Sequence, residues 1–152
     1  MERIQKSINV DCPLRTVYNQ WTQFEDFPYF MEGGVKQVTQ LDDKRLHWEA
    51  DVGGKHKEWN ARIVEQIPDH RIAWESEAGE NTSGVVTFQA EGANRTRVNL
   101  ELSYDPKGFV ESAGDSLGVV SRRVENDLEH FKEFIENCGR ESGGWRGTIR
   151  EV

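Results

Sequence analysis

The stretch LHWEADVGGKHKEWNARI, residues 46–63, decides the fold. In its first half Leu46, Trp48, Ala50 and Val52 alternate with His47, Glu49 and Asp51. In its second half Trp59, Ala61 and Ile63 alternate with Glu58, Asn60 and Arg62. A period of two places each set on one face of a strand, because successive side chains of an extended chain point to opposite sides. Gly53-Gly54 between the halves supplies the backbone freedom of a tight hairpin turn. The segment is therefore predicted to be a β-hairpin with one apolar and one charged face.

The same period continues on both sides. Val35 to Leu41 precedes it and ends at Asp42-Asp43, and Pro68-Asp69 follows it. Ile72 and Trp74 then alternate with Arg71, Ala73 and Glu75 up to a polar turn at 79–83. Val86 and Phe88 alternate with Val85 and Thr87, Gly92 to Asn94 turns the chain, and Val98, Leu100, Leu102 and Tyr104 alternate with charged and polar residues before Pro106. These are six successive strands with short connections, which predicts an antiparallel meander with one face in water. Upstream, Ile4, Ile8 and Val10 share a parity around Lys6, so Met1–Val10 reads as a further strand. Pro13 suits a first helical turn, after which Val17, Trp21 and Phe24 share one helical face. Pro28 breaks the aromatic run from Phe24 to Met31 before Gly33-Gly34 stops it, leaving a split helix pair.

The apolar face of such a sheet needs a cover. Val110, Ala113, Leu117, Val120, Val124, Leu128, Phe131 and Ile135 recur at spacings of three and four, with charged residues between them. They predict one amphipathic helix from about Phe109 to Cys138, roughly 45 Å long at 1.5 Å per residue. Gly114 and Gly118 would each cost it about 1 kcal/mol relative to alanine. Either the helix is kinked or starts late there, or the missing side chains leave room for a ligand.

Composition bounds the function. With 152 residues the chain suits one domain, read here as 1–138 with a flexible tail at 139–152. In that tail Trp145 is the residue able to dock on the sheet or a partner. The 19 basic and 27 acidic residues give a net charge of −8, which disfavours a nucleic-acid partner. The mean hydropathy of −0.76 and the lack of a long apolar run exclude integral membrane association by helices. The opening residues lack a signal-peptide pattern, so a cytoplasmic location with Cys12 and Cys138 as free thiols is expected. No cofactor motif is found, and the sequence specifies no oligomeric state. His47 shares the solvent-facing parity of Glu49 and Asp51, His56 and His70 lie near turns, and His130 sits among charged helix positions. Their spacing suggests no metal cluster and no buried base.

The element order, with Val10-Asp11-Cys12-Pro13 leading into Val17 to Trp21, then Phe24 to Met31, and finally Asp127 to Glu136, resembles the START-like superfamily of polyketide cyclase/dehydrase and lipid-transport proteins. Within it the chain resembles the small bacterial branch that includes coenzyme Q-binding relatives. The resemblance covers nearly the whole chain. It implies an α+β helix-grip fold, a curved antiparallel sheet in β-α-α-β6-α order wrapped around a long C-terminal helix, and a cavity between them. It does not imply a reaction.

Read from the residues, Trp48, Trp59 and Trp74 share the buried parity of three successive strands. They either fill a plain core or line a pocket. With the cavity that the resemblance implies, the expected ligand-binding residues are Trp48, Trp59, Trp74, Phe88, Leu100 and Leu117. Phe27, Phe30 and Met31 form either its mouth or a packed plug. The expected function is to bind or carry a hydrophobic small molecule, such as a lipid, an isoprenoid quinone or a polyketide-like compound. A cyclase or dehydratase is the alternative, with Tyr104 as its one named candidate, and a filled core acting through its surface is the third reading.

Overall fold

In the computed structural model, which describes residues 2–30, 35–52, 55–77, 82–104 and 116–150, the alternating segments form one curled antiparallel sheet. Its strands are β1 (Glu2–Val10), β2 (Val35–Gln40), β3 (Arg45–Val52), β4 (Lys55–Ile67), β5 (Arg71–Ser76), β6 (Thr82–Gly92) and β7 (Arg95–Tyr104). The order across the sheet is β1-β7-β6-β5-β4-β3-β2. The six-stranded meander is thus present, and the opening strand closes its far side by pairing with β7 from Glu2↔Tyr104 to Val10↔Thr96.

Between β1 and β2 lie helix α1 (Leu14–Trp21) and a 3₁₀ segment, Phe24–Tyr29, with Pro28 inside it. The long helix α2 (Ser116–Cys138) has 23 residues, about 35 Å at 1.5 Å per residue. Its Val124, Leu128, Phe131 and Ile135 are buried, while Arg122, Glu125, Glu129 and Glu133 on the other side are exposed. Gly118 falls in its first turn rather than mid-helix. The earlier part of the predicted helix, from Phe109 through Gly114, lies outside the described residues.

Aromatic rings join the layers. Trp21 meets Phe131 edge-on at 4.9 Å, Phe27 at 5.7 Å and Phe88 at 6.0 Å. Each such edge-to-face pair adds about 0.5–1.5 kcal/mol beyond burial.

The C-terminal tail corrects the expectation of a flexible extension. Ser142 N–H donates to Gln20 Oε1 at 2.9 Å and Trp145 N–H to Thr22 Oγ1 at 3.0 Å. Arg146 donates to Asn19 Oδ1 and Asp69 Oδ2, both at 2.6 Å. A short strand β8 (Ile149–Arg150) then pairs with β4, burying Ile149. Gly143-Gly144 read as a flexibility signal, yet a Cβ on Gly144 would lie 2.6 Å from Asn19 Cγ. Glycine is there because the tail runs close against α1. This strap also explains why Asn19 and Gln20 are buried on a helix whose apolar face is turned the other way.

Candidate ligand cavity

The apolar face of the β3–β4 hairpin forms one wall of a cavity. In the β3–β4 register Trp48 stands directly opposite Trp59, and the two indoles lie parallel, 3° between planes and 6.1 Å between centroids. The edge of Phe27 from the 3₁₀ segment faces Trp48 at 5.8 Å. On β5, Trp74 pairs with Ile63 on one side and Gly84 on the other. A Cβ on Gly84 would come within 2.3 Å of Trp74 Cζ2, so the missing side chain on β6 is what lets this indole lie across the neighbouring strand.

The space these rings border measures about 150 Å³. Leu46, Ile63, Ile72, Leu100 and Leu102 continue the sheet wall, Trp21 and Phe24 add the α1 side, and Val124 and Asp127 of α2 face them. Thr82 and Asp127 are the polar side chains among the described lining residues. Trp48 Nε1 is buried with no hydrogen-bond partner among the described residues. A buried N–H without an acceptor costs about 1–3 kcal/mol.

Of the expected site residues, Trp48, Trp59, Trp74, Leu100 and Phe27 come together here. Two others do not. Phe88 packs edge-on against Tyr18 at 5.3 Å and against Trp21. Phe30 is wedged between Phe131 and Phe134 at 5.2 and 5.3 Å. Both are core rings outside the cavity lining, Phe30 packing against α2. Met31 and the side chains of Leu117 and Tyr104 lie outside the described residues. Trp21, Phe24 and Asp127 enter the wall without having been expected there. For the first two the signal was their shared helical face with Val17. Asp127 gave none, because one carboxylate on a helix full of carboxylates is not conspicuous.

None of the four histidines lines the cavity. Among them, His47 lies with Glu49 and Glu58 in a group whose ligand atoms are within 4.8 Å of one another. His47 and His56, nine residues apart, are brought by the hairpin register onto the outer face beside Glu49 and Glu58.

A curled antiparallel sheet gripping one long helix around a ring-walled apolar space defines a helix-grip domain. The comparisons agree, for the sequence profile of the polyketide cyclase/dehydrase and lipid transport family matches residues 10–133. The chain belongs to that family. An uncharacterized 17.2 kDa protein from the melC2–rnhH intergenic region of Streptomyces lincolnensis is 48% identical over 150 residues, covering 98% of this chain and 99% of its own. Among solved structures, a START superfamily protein from Mycobacterium smegmatis superposes with a TM-score of 0.78 over 90% of this chain and 98% of that one, at 12% identity. The Zhui aromatase/cyclase from Streptomyces sp. R1128 does so with a TM-score of 0.76 over 95% and 99%, at 19% identity. At these identities the likeness to the two structures is one of fold. Among the described residues no helix is long and apolar enough to cross a membrane.

Proposed function

We propose that the protein binds an apolar small molecule through a single ring held against Trp48, Trp59 and Trp74, with an oxygen on that ring accepting the Trp48 Nε1–H. The observation that carries this reading is a cavity of about 150 Å³ walled by indoles, one of which has a buried donor without an acceptor among the described residues. An engineered apolar cavity of about that volume in another protein admits benzene, whereas drug-sized pockets run to about 300–1,000 Å³. One ring fits, and the rest of a longer isoprenoid or polyketide-like chain stays outside. Binding would return the donor's lost hydrogen bond while burying apolar surface on both partners.

Binding is favoured over catalysis because acid–base chemistry needs positioned proton donors and acceptors near their reacting atoms. The described wall offers one carboxylate, one hydroxyl and no imidazole. Family membership and the presence of Asp127 in that wall support a second reading, a cyclase or dehydratase in which Asp127 moves the proton, with Tyr104 as its candidate partner.

The test is mass spectrometry of protein purified gently from its own host, together with tryptophan-emission titrations using a panel of quinones and aromatic ketones. A copurifying ring compound and a saturable response support binding. No bound compound and no response across the panel would end the proposal. Turnover of a poly-β-ketone analogue that is lost in Asp127→Asn would instead favour the enzyme.

A further inference from the structure

The outer face of the β3–β4 hairpin holds a second constellation, separate from the cavity. The register sets Glu49 directly opposite Glu58, with Asp51 opposite His56 and His47 opposite Asn60. Two carboxylates facing each other across antiparallel strands repel, so something must compensate them. Lys36 Nζ is engaged by Asp51 Oδ2 at 2.9 Å.

The two imidazoles are anchored by their δ nitrogens. His47 Nδ1 lies 2.7 Å from Asn60 Oδ1 and His56 Nδ1 lies 3.2 Å from Asp51 Oδ1. Both partners are acceptors, so each Nδ1 carries a hydrogen, and in the neutral ring each Nε2 presents a lone pair. Those lone pairs point at carboxylates. His47 Nε2 is 3.0 Å from Glu58 Oε1, while His56 Nε2 is 3.5 Å from Glu58 Oε2 and 3.6 Å from Glu49 Oε1. Acceptor facing acceptor at these distances requires a cation between them, either protons or a metal ion.

The geometry points to a divalent-cation site, of the kind that zinc occupies, formed by His47, His56, Glu49 and Glu58. Around a tetrahedral zinc with bonds of 2.0–2.1 Å, neighbouring ligand atoms stand about 3.3 Å apart; His47 to Glu58 Oε1 at 3.0 Å and His56 to Glu49 Oε1 at 3.6 Å bracket that value, and His56 reaches Glu58 through its other oxygen, Oε2. Ligand atoms of His47, Glu49 and Glu58 already lie within 4.8 Å of one another. Two neutral imidazoles and two carboxylates balance the charge of one divalent ion. The hydrogen bonds from Nδ1 to Asn60 and Asp51 are the outer contacts that orient ligating histidines. Protons compete for the same positions, since His47's contacts with Asn60 and Glu58 raise its pKa. Because Trp48 and Trp59 occupy the inner face of these same strands, an ion here would tie together the pair that carries the stacked indoles.

The experiment is calorimetric titration of ZnCl₂ into untagged, chelator-treated full-length protein at pH 7.5. One ion per chain is expected. Binding should be lost in His47→Ala and in His56→Ala, weakened about 10- to 100-fold in Asn60→Ala, and unchanged in His70→Ala, a control in the β4–β5 turn. The altered residues lie on the water-facing side of the sheet, and circular dichroism verifies their folding. Should His47→Ala fail to fold, the half-exposed His56 carries the test alone. Absence of saturable zinc binding, or binding of equal strength in the histidine variants, would overturn the assignment.

Discussion

Gly84→Ala, measured with and without Trp74, probes how the cavity wall is built. The added Cβ would stand 2.3, 2.7 and 2.8 Å from Cζ2, Cη2 and Cε2 of Trp74, far inside contact distance, so the rigid indole has to swing away. Overpacking of this kind costs about 1–3 kcal/mol. Against it stands a gain of about 0.5–1 kcal/mol, because glycine within a strand is less favourable than alanine. In the wild type the net should be a loss of about 0.5–2 kcal/mol, roughly 1–8 °C in Tm for a domain of this size. With Trp74→Ala already in place the obstacle is gone and the sign reverses, leaving Gly84→Ala stabilising by about 0.5–1 kcal/mol. The coupling energy should therefore be about 1–3 kcal/mol, within the range for residues in contact. Urea denaturation of the four proteins in the cycle measures it. Equal effects of Gly84→Ala in both backgrounds would refute the account of why β6 carries glycine here.

Three further outcomes follow from the strap, from the junction of β1 with α2, and from the thiols. Arg146→Ala leaves Asn19 and Asp69 without their guanidinium and removes a cation 5.5 Å from the Tyr18 ring. It should cost about 1–3 kcal/mol by thermal denaturation. Glu136 is subject to burial, which raises its pKa, but the Asp11 N–H at 2.8 Å and Lys132 outweigh this and hold it below the ordinary value. A depressed carboxylate contributes stability above its unfolded pKa of about 4.3 and loses it as the pH falls through the folded value. Glu136→Gln should thus be less stable than wild type at pH 7, with the difference shrinking toward pH 3 in a pH series of urea melts. Burial, with Glu136 and Asp11 nearby, pushes the Cys12 thiol up, whereas Cys138 is exposed. Ellman's reagent should titrate one thiol rapidly in the native protein and both in denaturant, and Cys138→Ser should abolish the rapid phase.

What was legible in the sequence divides along physical lines. Alternation states which side of a strand faces inward, so the shared parity of Trp48, Trp59 and Trp74 and the hairpin at Gly53-Gly54 could be read directly. Alternation does not state how deep a ring sits, and Phe88, on the same inward parity, went to the core against Tyr18 instead of the cavity. A bulge between Ile63 and Glu65 changes the parity of β4, so Gln66 is buried where simple counting from Ile63 turns it outward. The buried Asn19 and Gln20 depend on the strap, whose docking rests on contacts between residues far apart in sequence, 122 positions for Ser142 with Gln20 and 77 for Arg146 with Asp69. The convergence of His47 with His56 needed the register of the hairpin, since spacing along the chain separates them by nine residues.

The central claim, that the indole-walled space receives a ring with an oxygen acceptor, is tested most directly by the five tryptophan indole N–H resonances of ¹⁵N-labelled protein. Acetophenone supplies one ring and one carbonyl, and toluene supplies the ring alone. The account predicts saturable shifts of Trp21, Trp48, Trp59 and Trp74 with both compounds, an added downfield shift of Trp48 with acetophenone only, and an unmoved Trp145 on the strap. Resonances that stay in place with both compounds, or a response confined to Trp145, would contradict it.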